Sequence, residues 1–148
     1  MLRWLLAAVH LLGLGIGLGA VWARARTLRA RPLDVAALQR AFAADTWWGV
    51  AAVIWIGSGL WRLLAGTEKP TGYYLANHAF IGKMILLGVI LVLEVRPMIT
   101  LIRWRGAVAR GERPDTSAAP SLARVSLAQA VLVILMVLAA TAMARGIG

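Results

Sequence analysis

The sequence predicts an all-α integral membrane protein, a four-helix up-down bundle with both termini on the periplasmic side. Of its 148 residues, 61% are hydrophobic, and they gather in four runs. Each run is near the roughly 20 residues that a spanning helix needs. Because lipid offers backbone groups no water to bond, such runs must be helical. We predict a single domain over 1–148, with helices at about 2–23, 46–64, 78–102 and 122–144.

The first run begins near the N-terminus, where a signal peptide is the alternative. Arg3 precedes it, as a charge precedes the apolar part of a signal peptide. The run is longer than the about 7–15 apolar residues of such a peptide, so we expect a retained helix. In the following connection, apolar residues between Leu33 and Ala44 recur on one helical face after Pro32. This favours a short helix at the membrane interface.

The remaining spans each have one local signal. The second follows Asp45, whose carboxylate is suited to cap a helix. The third contains Pro97, which predicts a kink just beyond Glu94. Gly111 and Pro114 indicate a mobile loop before the fourth span.

The net charge of +10 follows the topology and does not indicate a nucleic-acid partner. Arginines gather in the first and third connections, whereas the second holds Arg62 and Lys69 against Glu68. By the positive-inside rule, the first and third connections are cytoplasmic and both termini face outward. We therefore predict a multi-pass protein of the bacterial inner membrane whose surroundings are lipid, with no nucleic-acid partner.

Several kinds of chemistry are excluded or unsupported. The chain has no cysteine, which excludes disulfides, thiolate metal sites and haem linked through cysteine. It also lacks a Ser–His–Asp arrangement, paired catalytic carboxylates, a phosphate loop and an HExxH motif. Hydrolytic chemistry is therefore not supported.

Two ionisable side chains, His10 and Lys83, lie about one and a half turns inside runs that start from the same predicted membrane face. Burying either group in a membrane costs on the order of a few kcal/mol. Such groups usually face the bundle interior and find a partner, a cofactor or an ion. The alternatives are structural roles: His10 forms a hydrogen bond with a backbone carbonyl or a hydroxyl group, and the Lys83 side chain extends to the membrane surface.

A haem site is the leading interpretation of this pair. A neutral imidazole is a good axial ligand for haem iron, so His10 is the predicted metal ligand. Arg62 and Lys83 are expected to bind propionates or a polyanionic substrate, and Lys83 is the candidate catalytic residue. The sixth ligand is open between neutral Lys83, His78 and a methionine of the last helix. A copper site is a weaker alternative. The candidate copper ligands are His10, His78, Met84, Met136 and Met143.

Glycines follow His10 at helical spacing. Gly13 and Gly17 share its stripe, and Gly15 and Gly19 lie on the next one. The run resembles a dinucleotide fingerprint, but it follows no strand, and we reject that interpretation. Close helix packing of the small-xxx-small kind explains the pattern. The alternative is a flat slot for a porphyrin ligated by His10, which makes Gly13 and Gly17 candidate cofactor-binding residues.

Depth along the predicted helices sorts the polar residues into two layers. The outer layer contains His10, Ser58, Arg62, His78, Lys83 and Met136. The inner layer contains Arg24, Asp45, Glu94, Arg96, Ser126 and Gln129. Lys83 and Glu94 are about 16 Å apart along the axis and cannot pair. We expect the inner layer to be structural, with carboxylates paired to arginines, against the alternative of a proton relay through Glu94.

Motifs along nearly the whole chain resemble those of a family of small bacterial four-helix membrane proteins. They are His10, Asp45-Thr-Trp-Trp-Gly49, Gly59-Leu-Trp-Arg62, Glu68-Lys69, Tyr73-Tyr74, Phe80-Ile-Gly-Lys83, Glu94-Val-Arg-Pro97-Met98, Trp104-Arg105 and Met143-Ala-Arg-Gly146. More distantly, the plan is similar to HemJ-type protoporphyrinogen oxidases and to CopD-like membrane domains. The HemJ resemblance implies haem b, with an essential histidine and lysine at His10 and Lys83. The Leu-Pro-Arg-Leu run of HemJ-type proteins is absent here.

These observations lead to three functional hypotheses. The first is a haem-b-binding membrane protein with a redox role, such as an oxidoreductase acting on a porphyrin or quinone. The second is a non-enzymatic accessory or scaffolding subunit of a larger membrane complex, or a homo-oligomer, because the many glycines and alanines suit helix association. The third is copper handling or small-solute transport.

Overall fold

The structure is a computed structural model that describes residues 1–65, 72 and 77–145, without the side chains at 2, 3, 143 and 144. Its four long helices are α1 (Leu2–Thr27), α2 (Val35–Leu64), α3 (His78–Ala109) and α4 (Ala119–Ala144). All four are long and apolar enough to cross a membrane. The described ranges contain no strand, so the predicted all-helical membrane class is confirmed.

Helix α2 begins at Val35, well before the predicted start at 46. The expected interfacial helix and the second span are one continuous helix, because no residue between them breaks it. Asp34 is the N-cap, and its carboxylate accepts a 2.7 Å hydrogen bond from the amide of Ala37. The prediction that Asp45 caps this helix was wrong, since Asp45 lies in its interior.

The other helices also extend past their apolar runs at the same end of the bundle. Helix α1 continues to Thr27 rather than 23, and α4 starts at Ala119 rather than 122. Helix α3 continues through Pro97 to Ala109, where the prediction ended at 102. It ends just before Gly111, whose φ of +77° lies in the left-handed region that glycine tolerates. Arginine-rich segments therefore remain helical beyond the apolar runs.

The four helices form an antiparallel bundle that is open on one side. Helix α1 packs along α2 and α4, and α4 packs along α3, whereas α2 and α3 make few contacts. We call the end with residues 28–34 and 110–118 the basic end, and the end with His10 and Lys83 the pocket end.

An apolar layer lies between the two ends. It contains Leu14, Val21, Trp48, Trp55, Ile90, Ala130, Val133 and Met136. A second buried cluster, around Leu28, Leu38, Leu101 and Leu122, lies at the basic end. Many large apolar side chains face outward, as expected for a surface in contact with lipid.

Candidate functional site

His10 and Lys83 line one cavity at the pocket end. All four helices contribute to it: His10 comes from α1, Lys83 from α3 and Met136 from α4. Helix α2 contributes Trp55, Ile56, Gly59, Leu60 and Leu63, and α3 adds Phe80, Met84 and Leu87. The volume is about 80 Å³, which is room for several water molecules, since a water needs about 10–15 Å³.

Helix α2 fixes the orientation of the His10 imidazole. Nδ1 of His10 lies 3.0 Å from the main-chain oxygen of Trp55 and 3.0 Å from Oγ of Ser58. The Ser58 hydroxyl in turn donates to the Trp55 oxygen at 3.1 Å. A carbonyl oxygen only accepts, so Nδ1 carries the hydrogen in the neutral ring. The lone pair is therefore at Nε2, the arrangement typical of histidines that act as ligands or bases.

Gly59 lies directly against this imidazole. A Cβ atom built on Gly59 would be 3.1 Å from Cε1 and 3.5 Å from Nδ1 of His10. Only 6% of His10 is exposed, so the ring cannot move aside into solvent. The absence of a side chain at 59 is thus a condition for this ring position.

Lys83 is the unusual charge of the pocket. Its side chain is half-buried, and within the described part of the chain it has no hydrogen bond and no ion pair. Arg62 is close enough for the two cations to repel each other. The polar part of the cavity thus combines an oriented imidazole with an ammonium group that has no acceptor among the described residues.

Gly13 and Gly17 face α2 rather than the cavity. A Cβ on Gly13 would be 3.1 Å from Cγ2 of Ile54 and 3.2 Å from the amide nitrogen of Trp55. On Gly17 it would be 3.4 Å from the Trp48 ring and from Cβ of Ala51. Helix α2 therefore fills the space that the alternative, a porphyrin slot, would need. This geometry is the close helix packing that the glycine pattern favoured.

The wider set of candidate ligands does not converge. His78 is exposed at the start of α3 and does not line the cavity. Met84 and Met136 do line it, but the side chain of Met143 is outside the described residues. Across the described ranges, no group of three His, Cys, Asp or Glu side chains could bind a metal ion. The resemblance motifs at Glu68, Lys69, Tyr73, Tyr74 and Gly146 also lie outside the described residues.

A family model described as a predicted membrane protein (DUF2214) matches residues 2–148. The chain belongs to the DUF2214 family. This confirms the predicted membership in a family of small membrane proteins. Neither the curated proteins nor the solved structures contain a match. The more distant resemblance to HemJ-type and CopD-like proteins stays a prediction.

The DUF2214 chain has a second polar cluster, centred on the fully buried Arg24 near the basic end. The guanidinium uses all five of its N–H groups. Nη1 donates to Asp45 and to Glu94 at 2.7 Å each, and Nη2 donates to Glu94 and Gln129 at 2.8 Å each. Nε donates to Ser126 at 2.9 Å. The four spanning helices are thus joined at one guanidinium.

Two further contacts complete this Arg24 cluster. The Gln129 amide donates to Glu94 at 2.8 Å and to the main-chain oxygen of Ile90 at 3.2 Å. Arg105 lies 3.5 Å from the second carboxylate oxygen of Asp45. The two carboxylates therefore face two guanidinium groups. This is the expected pairing of the inner layer, and the apolar layer separates it from the cavity.

Sequence reasoning missed two contributors to these sites. The Trp55 carbonyl has no sequence signal, because every residue carries one. Gly59 lies beside the polar Ser58 in an otherwise apolar stretch of α2, which marks it as a residue of the bundle interior. The sequence did not show that its neighbour is the His10 imidazole. Arg24 was correctly assigned to the inner layer with Asp45 and Glu94, and the structure shows it at the centre of that layer.

Proposed function

We propose that this DUF2214 protein binds the head group of a lipid-soluble quinone between α2 and α3 and takes part in electron transfer in the bacterial inner membrane. The observation that carries the proposal is Lys83, an ammonium group that has no acceptor among the described residues and shares a small cavity with an oriented imidazole. A buried donor is costly unless a partner accepts from it. A quinone carbonyl oxygen is such a partner.

The chemistry of the two side chains suits a quinone ring. Its two carbonyl oxygens lie on opposite sides of the ring, and reduction to the quinol consumes two electrons and two protons. Lys83 donates a hydrogen bond to one oxygen. His10, fixed at Nδ1 by Trp55, exchanges a proton at Nε2 with the other. The second proton comes from water at the pocket end, and the two electrons come from a reduced flavin or haem of a partner protein.

Positive charge beside the ring favours the reduced form. Reduction places negative charge on the ring oxygens before protonation is complete. Lys83, with Arg62 close by, provides a fixed positive field at that position. The apolar walls strengthen the field, because few other dipoles there can screen it. The pocket therefore stabilises the charge that develops during reduction.

Haem b is the second candidate, favoured by the His10 hydrogen bond to the Trp55 carbonyl. This contact is typical of histidines that bind metal ions. His10 would bind the haem iron and Lys83 would hold a propionate, and the haem would supply one-electron chemistry. The cavity is small for either ligand, since about 80 Å³ is far below the roughly 300–1,000 Å³ of ligand and cofactor pockets, and a haem needs the larger opening. A macrocycle would require α2 and α3 to separate.

One set of measurements on the purified protein in lipid nanodiscs tests both candidates. An absorption spectrum shows a Soret band if haem is bound, and that band should disappear in His10→Ala. If the protein shows no Soret band, decylubiquinone is titrated into it and tryptophan fluorescence is measured. Trp55 lines the cavity, so its fluorescence reports binding there. We expect saturable quenching that Lys83→Met and His10→Gln weaken at least tenfold, with His78→Gln as the control.

The outcomes separate the hypotheses. Equal quenching in Lys83→Met and the unaltered protein would overturn the quinone proposal. A stoichiometric partner that co-purifies with protein showing neither ligand would support the accessory-subunit hypothesis. Metal analysis of the same sample tests copper handling.

A further inference from the structure

The cavity has an asymmetric lining. Its polar groups, His10 and Lys83, lie on α1 and α3, whereas α2 lines it mainly with apolar side chains. Two of the lining residues also reach the outer surface of the bundle. Leu60 of α2 is 51% exposed and Met84 of α3 is 36% exposed.

The same two residues border the open side of the bundle. Helices α2 and α3 make few contacts with each other, while the other neighbouring pairs pack along their lengths. The lining residues Ile56 and Leu87 are half-buried and lie about one turn deeper on these two helices. An apolar path therefore leads from the polar groups to the lipid-facing surface without crossing a packed helix interface.

From this geometry we infer that the ligand enters sideways from the bilayer between Leu60 and Met84, and that its apolar tail lies in the gap between α2 and α3. The inference rests on the proposed binding of a quinone head group. It identifies the ligand as an amphiphile whose tail contributes to affinity, and it assigns Leu60 and Met84 as the residues that border its entrance.

The chemistry of the entrance supports this assignment. Moving an apolar tail from lipid into an apolar groove gives little hydrophobic free energy, because both surroundings are apolar. The tail therefore contributes to binding through packing contacts with Leu60 and Met84. Met84 is unbranched and flexible, which suits a surface that must open and close around a chain. An entrance from water would instead require polar residues along the path.

The absence of cysteine from the chain allows a direct test. Leu60→Cys and Met84→Cys are combined, and the thiols are joined by a short bis-methanethiosulfonate linker that dithiothreitol removes. Each single-cysteine variant, treated with the same reagent, is the matched control, because it carries the label without bridging the helices. Association of decylubiquinone in nanodiscs is followed by tryptophan quenching in a stopped-flow instrument.

We expect the bridge to slow association at least tenfold, and dithiothreitol to restore the original rate. The labelled single variants are the reference for this comparison, because each loses one packing contact with the tail but leaves the gap between α2 and α3 open. Unaltered protein should also bind decylubiquinone at least tenfold more tightly than the same quinone ring without a tail. Both affinities are expressed per mole fraction of the quinone in the bilayer, so that different partitioning into lipid does not affect the comparison.

The results distinguish the inference from the function on which it rests. If both analogues bind with equal affinity, or if the bridged protein binds at an unchanged rate, lateral entry is wrong and the head-group site stands. If neither analogue quenches the unaltered protein, the proposed function fails, and the lateral entry of a quinone fails with it.

Discussion

Arg24 and Glu94 form a two-pronged ion pair inside the bundle: Nη1 and Nη2 of the guanidinium donate to the two carboxylate oxygens at 2.7 and 2.8 Å. Arg24 is fully buried, and the Glu94 side chain is 17% exposed. The contact joins α1 to α3, which otherwise meet mainly through α4. The Arg24 cluster therefore determines how the two halves of the chain lie against each other near the basic end.

The first prediction concerns the stability of this cluster. Arg24→Leu leaves Asp45 and Glu94 facing each other without a buried cation and should destabilise the protein by about 3–5 kcal/mol. The midpoint of thermal unfolding in detergent measures the loss. Adding Asp45→Asn and Glu94→Gln to Arg24→Leu should recover much of it, because no uncompensated charge remains.

A control for that prediction is available at the surface. Arg110 and Glu112 form a 2.8 Å ion pair in the exposed third connection. Glu112→Gln should leave the midpoint unchanged, since exposed pairs contribute little. A loss in Glu112→Gln as large as that in Arg24→Leu would show that burial is not the cause.

The second prediction tests the close approach of α1 and α2. Gly13→Ala places a methyl group 3.1 Å from Ile54 and 3.2 Å from the Trp55 amide. The backbone at Trp55 cannot move without displacing α2, so we expect a loss of about 1–3 kcal/mol in unfolding free energy. Gly15→Ala, which meets nothing within 4 Å, should be neutral or slightly stabilising. Equal effects of the two changes would contradict the packing role.

The third prediction concerns the position of the imidazole. Gly59→Ala brings a methyl group to 3.1 Å from Cε1 of His10 and should tilt the ring away from its hydrogen bond with Trp55. We expect quinone affinity to fall by about tenfold, or about 1.4 kcal/mol. Gly57→Ala on the same helix, with no atom within 4 Å, is the control and should bind normally. Unchanged affinity in Gly59→Ala would argue against a functional role for the ring position.

The fourth prediction separates function from stability. Lys83 has no acceptor among the described residues, so its charge costs stability in the ligand-free protein. Lys83→Met should raise the unfolding free energy by about 1 kcal/mol or more while it weakens quinone binding. Thermal unfolding without ligand, together with the fluorescence titration, tests both effects. A less stable Lys83→Met variant would indicate that Lys83 has a structural role instead.

The apolar runs predicted the four spans, and residue counting along them correctly placed His10 and Lys83 at one level. The rotation of each helix about its own axis was not predictable, because Gly13 suits both a porphyrin slot and a tight helix contact. The start of α2 was missed because the amphipathic segment before Asp45 was treated separately from the apolar segment after it. Arg24 was correctly placed in the inner layer with Asp45 and Glu94, because residue counting along the helices gives depth.

The apolar layer between the cavity and the Arg24 cluster has an electrical consequence. From Leu14 and Trp55 down to Val21 and Trp48, the buried side chains of this layer provide no ionisable group to carry a proton. If a quinone is reduced at His10, as proposed, it exchanges its protons with the aqueous phase at the pocket end. Turnover in the cavity would neither build nor dissipate a membrane potential by moving protons through this chain.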